Sequence, residues 1–100
     1  MTVKLRRRSP RYPDLTPGQP NIVIGIEGGD FRILDGSGRP YLYPPRPFQV
    51  LDPHAPDDWV TDGERYAYPA PLNHPGFFED FFDARPRAVK TFWRVSAWRR

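Results

Sequence analysis

The fold is decided between residues 21 and 35, where the chain reads Asn-Ile-Val-Ile-Gly-Ile-Glu-Gly-Gly-Asp-Phe-Arg-Ile-Leu-Asp. Residues 21–27 are rich in β-branched side chains and are compatible with the two-residue period of a strand. Gly28-Gly29-Asp30 is typical of a turn, and residues 31–35 alternate again, with Phe31 and Ile33 on one face. This stretch therefore predicts two strands joined by a tight turn.

Three further short strands flank this pair. Residues 3–7 alternate apolar and basic side chains, as an edge strand with one solvated face does, and the Pro-rich residues 9–20 form a loop. The glycines of residues 35–38 favour a tight hairpin into a strand over residues 39–43. The prolines of residues 44–47 interrupt the ladder before a last strand over residues 48–52. Five short strands at this spacing predict a small β-barrel.

The second half of the chain adds a hairpin and two helices. After a Pro-rich acidic linker over residues 52–58, residues 59–61 and 66–68 flank an Asp62-Gly63 turn signal. Asn73 is a candidate cap for a helix with Pro75 in its first turn, and four phenylalanines between residues 77 and 82 recur at helical spacing. A second amphipathic helix is predicted to begin near Pro86. We expect a single α+β domain, with a small five-stranded barrel over residues 3–52 and residues 53–100 packed on it as a hairpin and two short helices.

Composition bounds this expectation. A chain of 100 residues suits one domain. Its 14 prolines argue against long uninterrupted helices, and its 15% aromatic content is enough for a small core. The net charge of +3 conceals a segregation, because eleven of the fifteen basic residues lie in residues 1–12 and 85–100, whereas all twelve acidic residues lie in residues 13–84.

Three segments in the first half of the chain match, in order, the landmarks of one family. Asp14-Leu15-Thr16-Pro17-Gly18 is similar to an acidic, Gly-terminated passage from a long first loop into a second strand, and Asp30-Phe31-Arg32 is similar to the start of a third strand. Residues 38–50, Gly-Arg-Pro-Tyr-Leu-Tyr-Pro-Pro-Arg-Pro-Phe-Gln-Val, resemble a run of Gly and aliphatic residues that reaches Pro and closes in an aromatic residue and Val. Residues 13–52 therefore resemble the SH3-like small barrels.

The resemblance implies a fold more than a function. Peptide-binding members of the family present a groove made by an Ala-Leu-Tyr strand motif, an exposed Trp in the third strand and a Pro with an aromatic residue in the closing turn. Only Pro44 and Phe48 match the last of these, the first motif is absent near residues 3–8, and the single Phe31 stands where the family has an aromatic pair. Polyproline recognition depends on those stacked aromatic rings. We therefore expect a barrel without the peptide groove.

Catalysis and cofactor binding have little support in the sequence. His54 and His74 each lie beside a proline with no second His or Cys at ligand spacing, and the chain has no cysteine at all. The serines and glycines occur in no nucleophile or phosphate-loop context. We expect a non-enzymatic protein with no cofactor and no metal.

Two function classes remain. Cations at the two ends favour nucleic-acid binding if the first strand and the last helix lie together, through Lys4, Arg6, Arg8, Arg87, Lys90 and Arg94. Against this reading, the acidic centre would repel a polyanion. Abundant aromatic and Arg residues favour instead a protein-interaction module, an adaptor or inhibitor acting through a basic and aromatic surface. This second reading leads, and the partner-binding residues it predicts are Tyr43, Pro44, Phe48, Trp59 and Trp98.

The sequence also bears on compartment. No run approaches the ~18 apolar residues of a membrane span. The basic start of the chain lacks the apolar stretch that a secretory signal needs. We expect a cytoplasmic protein whose partner is another protein or a nucleic acid rather than a membrane.

Overall fold

The computed structural model describes residues 1–63 and 65–97. Seven strands come first: β1 Thr2–Leu5, β2 Pro20–Glu27, β3 Asp30–Leu34, β4 Pro40–Tyr43, β5 Phe48–Asp52, β6 Trp59–Asp62 and β7 Tyr66–Pro69. A 3-10 turn over Ala70–Leu72 leads to two helices, α1 Phe77–Phe82 and α2 Pro86–Ala97. The predicted α+β class and the second helix at Pro86 are confirmed.

All strand pairs among the described residues are antiparallel, and the main path runs β4-β3-β2-β1-β5. The hairpin β6–β7 joins the path through β7, which pairs with β2 at Ile26 and Glu27. No pairing between the end strands β4 and β5 closes the described sheet. The structure thus shows an open seven-stranded sheet where the sequence predicts a closed five-stranded barrel. The two additional strands join because β2 is long enough to pair with β1 at one end and with β7 at the other.

The start of α1 differs from the prediction. The 3-10 turn ends at Asn73, whose side-chain Nδ2 donates to the Val60 carbonyl oxygen at 3.3 Å instead of capping a helix. The helix begins four residues later at Phe77, preceded by Gly76 in the left-handed conformation with a φ of 81°. Pro75 therefore lies outside the helix. The turn after Leu72 is made by a tertiary contact to β6, which the local sequence does not encode.

The sheet buries apolar side chains on both of its faces. The inner cluster is formed by β1–β5 and the loop between β1 and β2, and consists of Val3, Leu5, Leu15, Val23, Phe31, Ile33, Tyr43 and Phe48. The outer cluster lies between the sheet and the helices and consists of Ile24, Tyr68, Leu72, Phe77, Phe78, Ala88, Phe92 and Val95. Burial on both faces explains why β2 reads as a near-continuous apolar run.

Candidate functional site

The residues predicted to bind a partner are divided by the structure. Tyr43 and Phe48 are only 6% and 3% exposed, and both belong to the inner cluster. Pro44 is exposed, Trp59 is half-buried against the inner cluster, and Trp98 lies outside the described residues. The rings of Tyr43 and Phe48 thus pack in the core and expose little surface to a partner in this structure.

Tyr43 has a structural role at the hairpin between β3 and β4. Its hydroxyl donates to Asp35 Oδ2 at 2.8 Å, and Asp35 Oδ1 accepts from the Ser37 backbone N–H at 2.9 Å and from the Ser37 hydroxyl. Burial, followed by this bond to Asp35, raises the pKa of Tyr43 well above its usual range. The hydroxyl is thus held protonated as a donor that anchors the turn.

The cations predicted to bind nucleic acid do not form one surface. Arg8 lines a groove with the loop of residues 9–17, whereas Arg87, Lys90 and Arg94 line a shallow depression on α2 alone. Arg6 donates from Nε to the Phe48 carbonyl oxygen at 3.2 Å, and Lys4 is half-buried in the middle of β1. Neither groove contains a cation of the other group.

An exposed strip of aromatic rings runs from the sheet edge to α2. Tyr41 of β4 stacks on Phe82 of α1, with ring centroids 5.3 Å apart and planes 20° from parallel. The ring centroids of Phe82 and Phe81 are 5.4 Å apart, and those of Phe81 and Trp93 of α2 are 6.4 Å apart. The exposed fractions are 42% for Tyr41 and 38% for both Phe82 and Trp93. These four residues form the aromatic strip.

The basic side chains of α2 adjoin the aromatic strip. Lys90 lies one helical turn before Trp93, and Arg87 and Arg94 lie one turn to either side of Lys90 on the same face. None of the three cations forms an ion pair with a described residue. The strip and these cations together are called the basic–aromatic surface. Sequence reasoning missed Tyr41. Strand alternation gives residues 41 and 43 the same face, so it holds no signal that Tyr41 is 42% exposed while Tyr43 is buried.

A buried cation forms a second polar feature, on the outer face of the sheet. Arg32 is 5% exposed and donates from Nε to the Tyr68 hydroxyl at 3.0 Å, from Nη1 to the Pro40 carbonyl oxygen at 3.0 Å and from Nη2 to Glu27 Oε1 at 3.2 Å. Its guanidinium carbon lies 3.8 Å from the centre of the Phe78 ring. Every nitrogen of the guanidinium therefore has a partner, as the burial of a charge requires.

Tyr68 completes this network. Its hydroxyl donates to Glu27 Oε1 at 3.1 Å, so Glu27 accepts from both Arg32 and Tyr68. Burial raises the pKa of Tyr68 well above its usual range, although the neighbouring Arg32 acts in the opposite direction. A phenol whose pKa is raised stays protonated at neutral pH, so the Tyr68 hydroxyl acts as a hydrogen-bond donor within the network.

A cavity of about 260 Å³ opens beside this network, between the hairpin β6–β7 and the segment that leads into α1. Its lining includes Glu27 and Arg32, the rings of Tyr66, Tyr68, Phe77 and Phe78, and His74. His74 packs edge-on against Phe77, with centroids 5.2 Å apart. Among residues 1–63 and 65–97, no three His, Asp or Glu side chains lie close enough together to hold a metal ion. His54 lies elsewhere, where its backbone N–H bonds to Asp52 Oδ1 at 2.9 Å.

Comparison with known proteins adds no relative. No protein-family model, curated protein or solved structure matches the chain. Within the described part of the chain, none of the helices has both the length and the apolar character needed to cross a bilayer.

Proposed function

We propose that this chain is a non-enzymatic protein-interaction module of the cytoplasm, an adaptor or inhibitor that binds its partner through the basic–aromatic surface. The observation that carries the proposal is the stacked, exposed pair of Tyr41 and Phe82, continued through Phe81 to Trp93. Contiguous exposed aromatic rings on a small domain are characteristic of binding surfaces.

The chemistry of this surface defines the partner. Aromatic and Arg side chains are the usual anchors of protein interfaces, and a rim of uncompensated cations attracts an acidic partner and speeds its association. Arg87, Lys90 and Arg94 form such a rim beside Trp93. The partner we propose is a protein with an acidic surface around an apolar group that packs on the strip.

A nucleic acid is less well supported as the partner. The cations of α2 and of the residues around Arg8 line different grooves, so a phosphate backbone would meet three cations of α2 in a row. Salt-dependent binding of a polyanion strengthens with the number of phosphates that are neutralised. The aromatic strip extends instead toward β4, away from the cations, which suits an apolar protein contact.

The scaffold under the surface belongs to the same proposal. The strand order β4-β3-β2-β1-β5, in which β1 pairs with both β2 and β5, supports an SH3-like arrangement for the first 52 residues. Phe48, which matches the closing turn of that family, packs edge-on against Phe31 and Tyr43 with centroids 6.1 Å apart in each case. This inward packing supports a scaffold whose binding surface lies on the added helices rather than in a peptide groove.

Substitutions on α2 test the proposal. The immobilised wild-type chain is used to capture proteins from a lysate of the cells that make it. Each captured protein is purified, and its affinity is measured for the wild type, for Trp93→Ala and for the triple variant R87E/K90E/R94E. We expect Trp93→Ala to weaken binding about 30-fold, as loss of an aromatic anchor worth about 2 kcal/mol does. The charge reversals should slow association and reverse the sign of its salt dependence, because the surface would then repel an acidic partner. Arg46→Glu, at an exposed cation of the Pro-rich turn, is the control and should bind as the wild type does.

Three results would contradict the proposal. One is retention of no protein, and another is a captured protein that binds both variants as tightly as the wild type. The third is a mobility shift of labelled DNA or RNA that the triple variant abolishes and Phe82→Ala leaves unchanged, which would instead identify α2 as a nucleic-acid surface.

A further inference from the structure

Strand pairing places three of the side chains that line the cavity beside Arg32 in one row. Tyr66 of β7 lies directly opposite Glu27 of β2 on one side and Asp62 of β6 on the other. Residues paired across antiparallel strands project from the same face, and adjacent strands are about 4.8 Å apart. Glu27, Tyr66 and Asp62 therefore form a row across three strands, in which an aromatic ring stands between two carboxylates.

The segment that leads into α1 lines the opposite side of the cavity from this row. Glu79 of α1 contributes a third carboxylate to the lining, and Phe77 and His74 contribute rings. Tyr66 is 40% exposed, so its ring is open to a ligand. The side chains of Asp62 and Glu79 make no hydrogen bond or ion pair with any described residue. Two carboxylates without a partner among the described residues thus line the cavity together with an aromatic ring.

The lining of the cavity carries a net negative charge. Three carboxylates face one guanidinium, which leaves a net charge of −2 when His74 is counted as neutral. Arg32 cannot attract an anion strongly, because Glu27 already neutralises it, each of its nitrogens already donates, and the Phe78 ring covers one face. A ligand in the cavity therefore meets negative charge and aromatic surface.

We propose that this cavity binds an organic monocation, an ammonium or guanidinium group on a short alkyl stem. Such a cation is attracted both to carboxylates and to the faces of aromatic rings, the combination used by aromatic cages. Pockets for ordinary small-molecule ligands measure about 300–1,000 Å³, so a cavity of about 260 Å³ suits a single Lys or Arg side chain or a free amine of that size. This site is distinct from the basic–aromatic surface and does not depend on the function proposed for it.

Titration of the ¹⁵N-labelled protein with matched probes tests the proposal. Butylguanidinium and butylammonium are the cations, butylurea is the neutral isostere of the first, and butyrate is the corresponding anion. The two cations should shift the backbone amides of Tyr66, Asn73 and Gly76, which line the cavity, and saturate with a Kd in the millimolar range, as suits so small a ligand. A blocked Gly-Arg-Gly peptide distinguishes the source of the cation: tighter binding than butylguanidinium indicates a side chain of a partner, and equal or weaker binding indicates a free amine or guanidine.

Conservative variants locate the binding. Asp62→Asn and Glu79→Gln should each weaken butylguanidinium about fivefold, the upper range for one exposed ion pair. Tyr66→Leu should weaken it by a similar factor through loss of the ring face. Asp57→Asn, at an exposed carboxylate outside the cavity, is the control and should leave the Kd unchanged. Urea unfolding of each variant shows that the fold is retained.

Several outcomes would overturn the proposal. Equal binding of butylurea would mean that charge plays no part, and preferential binding of butyrate would mean that Arg32 dominates the cavity. Absence of any saturating shift at tens of millimolar cation, or a loss in Asp57→Asn equal to that in Asp62→Asn, would mean that the cavity is not a cation site.

Discussion

Tyr68 lies across β2 so closely that position 25 has no room for a side chain. A Cβ atom added to Gly25 would stand 2.1 Å from Tyr68 Cδ1 and 2.8 Å from the Ala67 carbonyl oxygen. The first atom belongs to a ring that is itself buried and hydrogen-bonded, and the second belongs to the backbone of β7. Neither can move without disturbing the pairing of β7 with β2.

Gly25→Ala should therefore destabilise the protein strongly. We expect the free energy of unfolding to fall by about 3 kcal/mol, at the upper end of the cost of overpacking, because the nearest atoms are parts of a fixed ring and of the backbone. Urea denaturation followed by circular dichroism measures the change. Gly28→Asn is the control: a Cβ there meets nothing within 4 Å, and Asn tolerates its positive φ of 59°. An equal loss in both variants would contradict the explanation.

At the scale of the element, the six-residue helix α1 is stopped by a complete Schellman motif. The Arg85 N–H bonds to the Asp80 carbonyl oxygen at 2.9 Å, and the Ala84 N–H bonds to that of Phe81 at 3.0 Å. Ala84 occupies the left-handed position with a φ of 59°, and it is the only non-glycine residue with a positive φ in the described ranges 1–63 and 65–97. This position most often holds glycine, because a Cβ is strained there.

Ala84→Gly should consequently stabilise the protein. The strain energy that Gly relieves in the folded chain is larger than the free-energy cost of its greater entropy in the unfolded chain. We therefore expect the free energy of unfolding to rise by about 0.5–1 kcal/mol. Thermal and urea unfolding measure the gain. Ala55→Gly, in the linker and without positive φ, should instead lose a few tenths of a kcal/mol. Destabilisation by Ala84→Gly would show that the end of α1 is held in some other way.

At the scale of the whole molecule, one open sheet carries a core on each face, and each core contains a buried tyrosine held protonated. Tyr43 belongs to the inner cluster and Tyr68 to the outer cluster. Burial raises the pKa of both hydroxyls above the ordinary value of 10.0. In the unfolded chain both would ionise near that ordinary value. The two cores are therefore sensitive to alkali in the same direction.

The contribution of these two tyrosines to stability should not change with pH below about pH 10 and should decline above it. A folded-state pKa above the unfolded one means that the stabilisation is fully present below the unfolded pKa and is lost as the pH rises toward the folded pKa. Each tyrosine should contribute a slope of about 1.4 kcal/mol per pH unit in that window. Urea unfolding across the alkaline range measures the slope in the wild type, Tyr43→Phe and Tyr68→Phe.

In each Phe variant, the free energy of unfolding should fall less steeply with pH above about pH 10, because the replaced tyrosine no longer contributes. This holds whatever the change in stability at neutral pH. Tyr66→Phe, at a ring that is 40% exposed, is the matched variant and should keep the wild-type slope. A wild-type free energy that does not change across the alkaline range, or Phe variants with an undiminished slope, would contradict the assignment of both tyrosines as buried donors.

Much of the secondary structure is encoded locally. β-branched runs, glycine turns and the Asp62-Gly63 signal predict strands and hairpins that the structure contains, and Pro86 begins α2 as predicted. These features depend on residues within a few positions of one another, whose conformational preferences hold in any surroundings. The basic residues near the two ends of the chain and the high aromatic content are also evident from the sequence.

Only the tertiary structure decided which of those residues meet. Residues 26–27 of β2 pair with β7, which brings Glu27, Tyr66 and Asp62 into one row from positions nearly 40 residues apart in sequence. Arg32, which strand alternation between Phe31 and Ile33 would direct to solvent, is buried because α1 covers the outer face. Tyr41 stacks on Phe82 because α1 reaches the end strand β4 of the sheet. The sequence by itself determined the elements and the composition of both proposed surfaces, whereas their assembly depends on long-range pairing and packing, which local preferences do not encode.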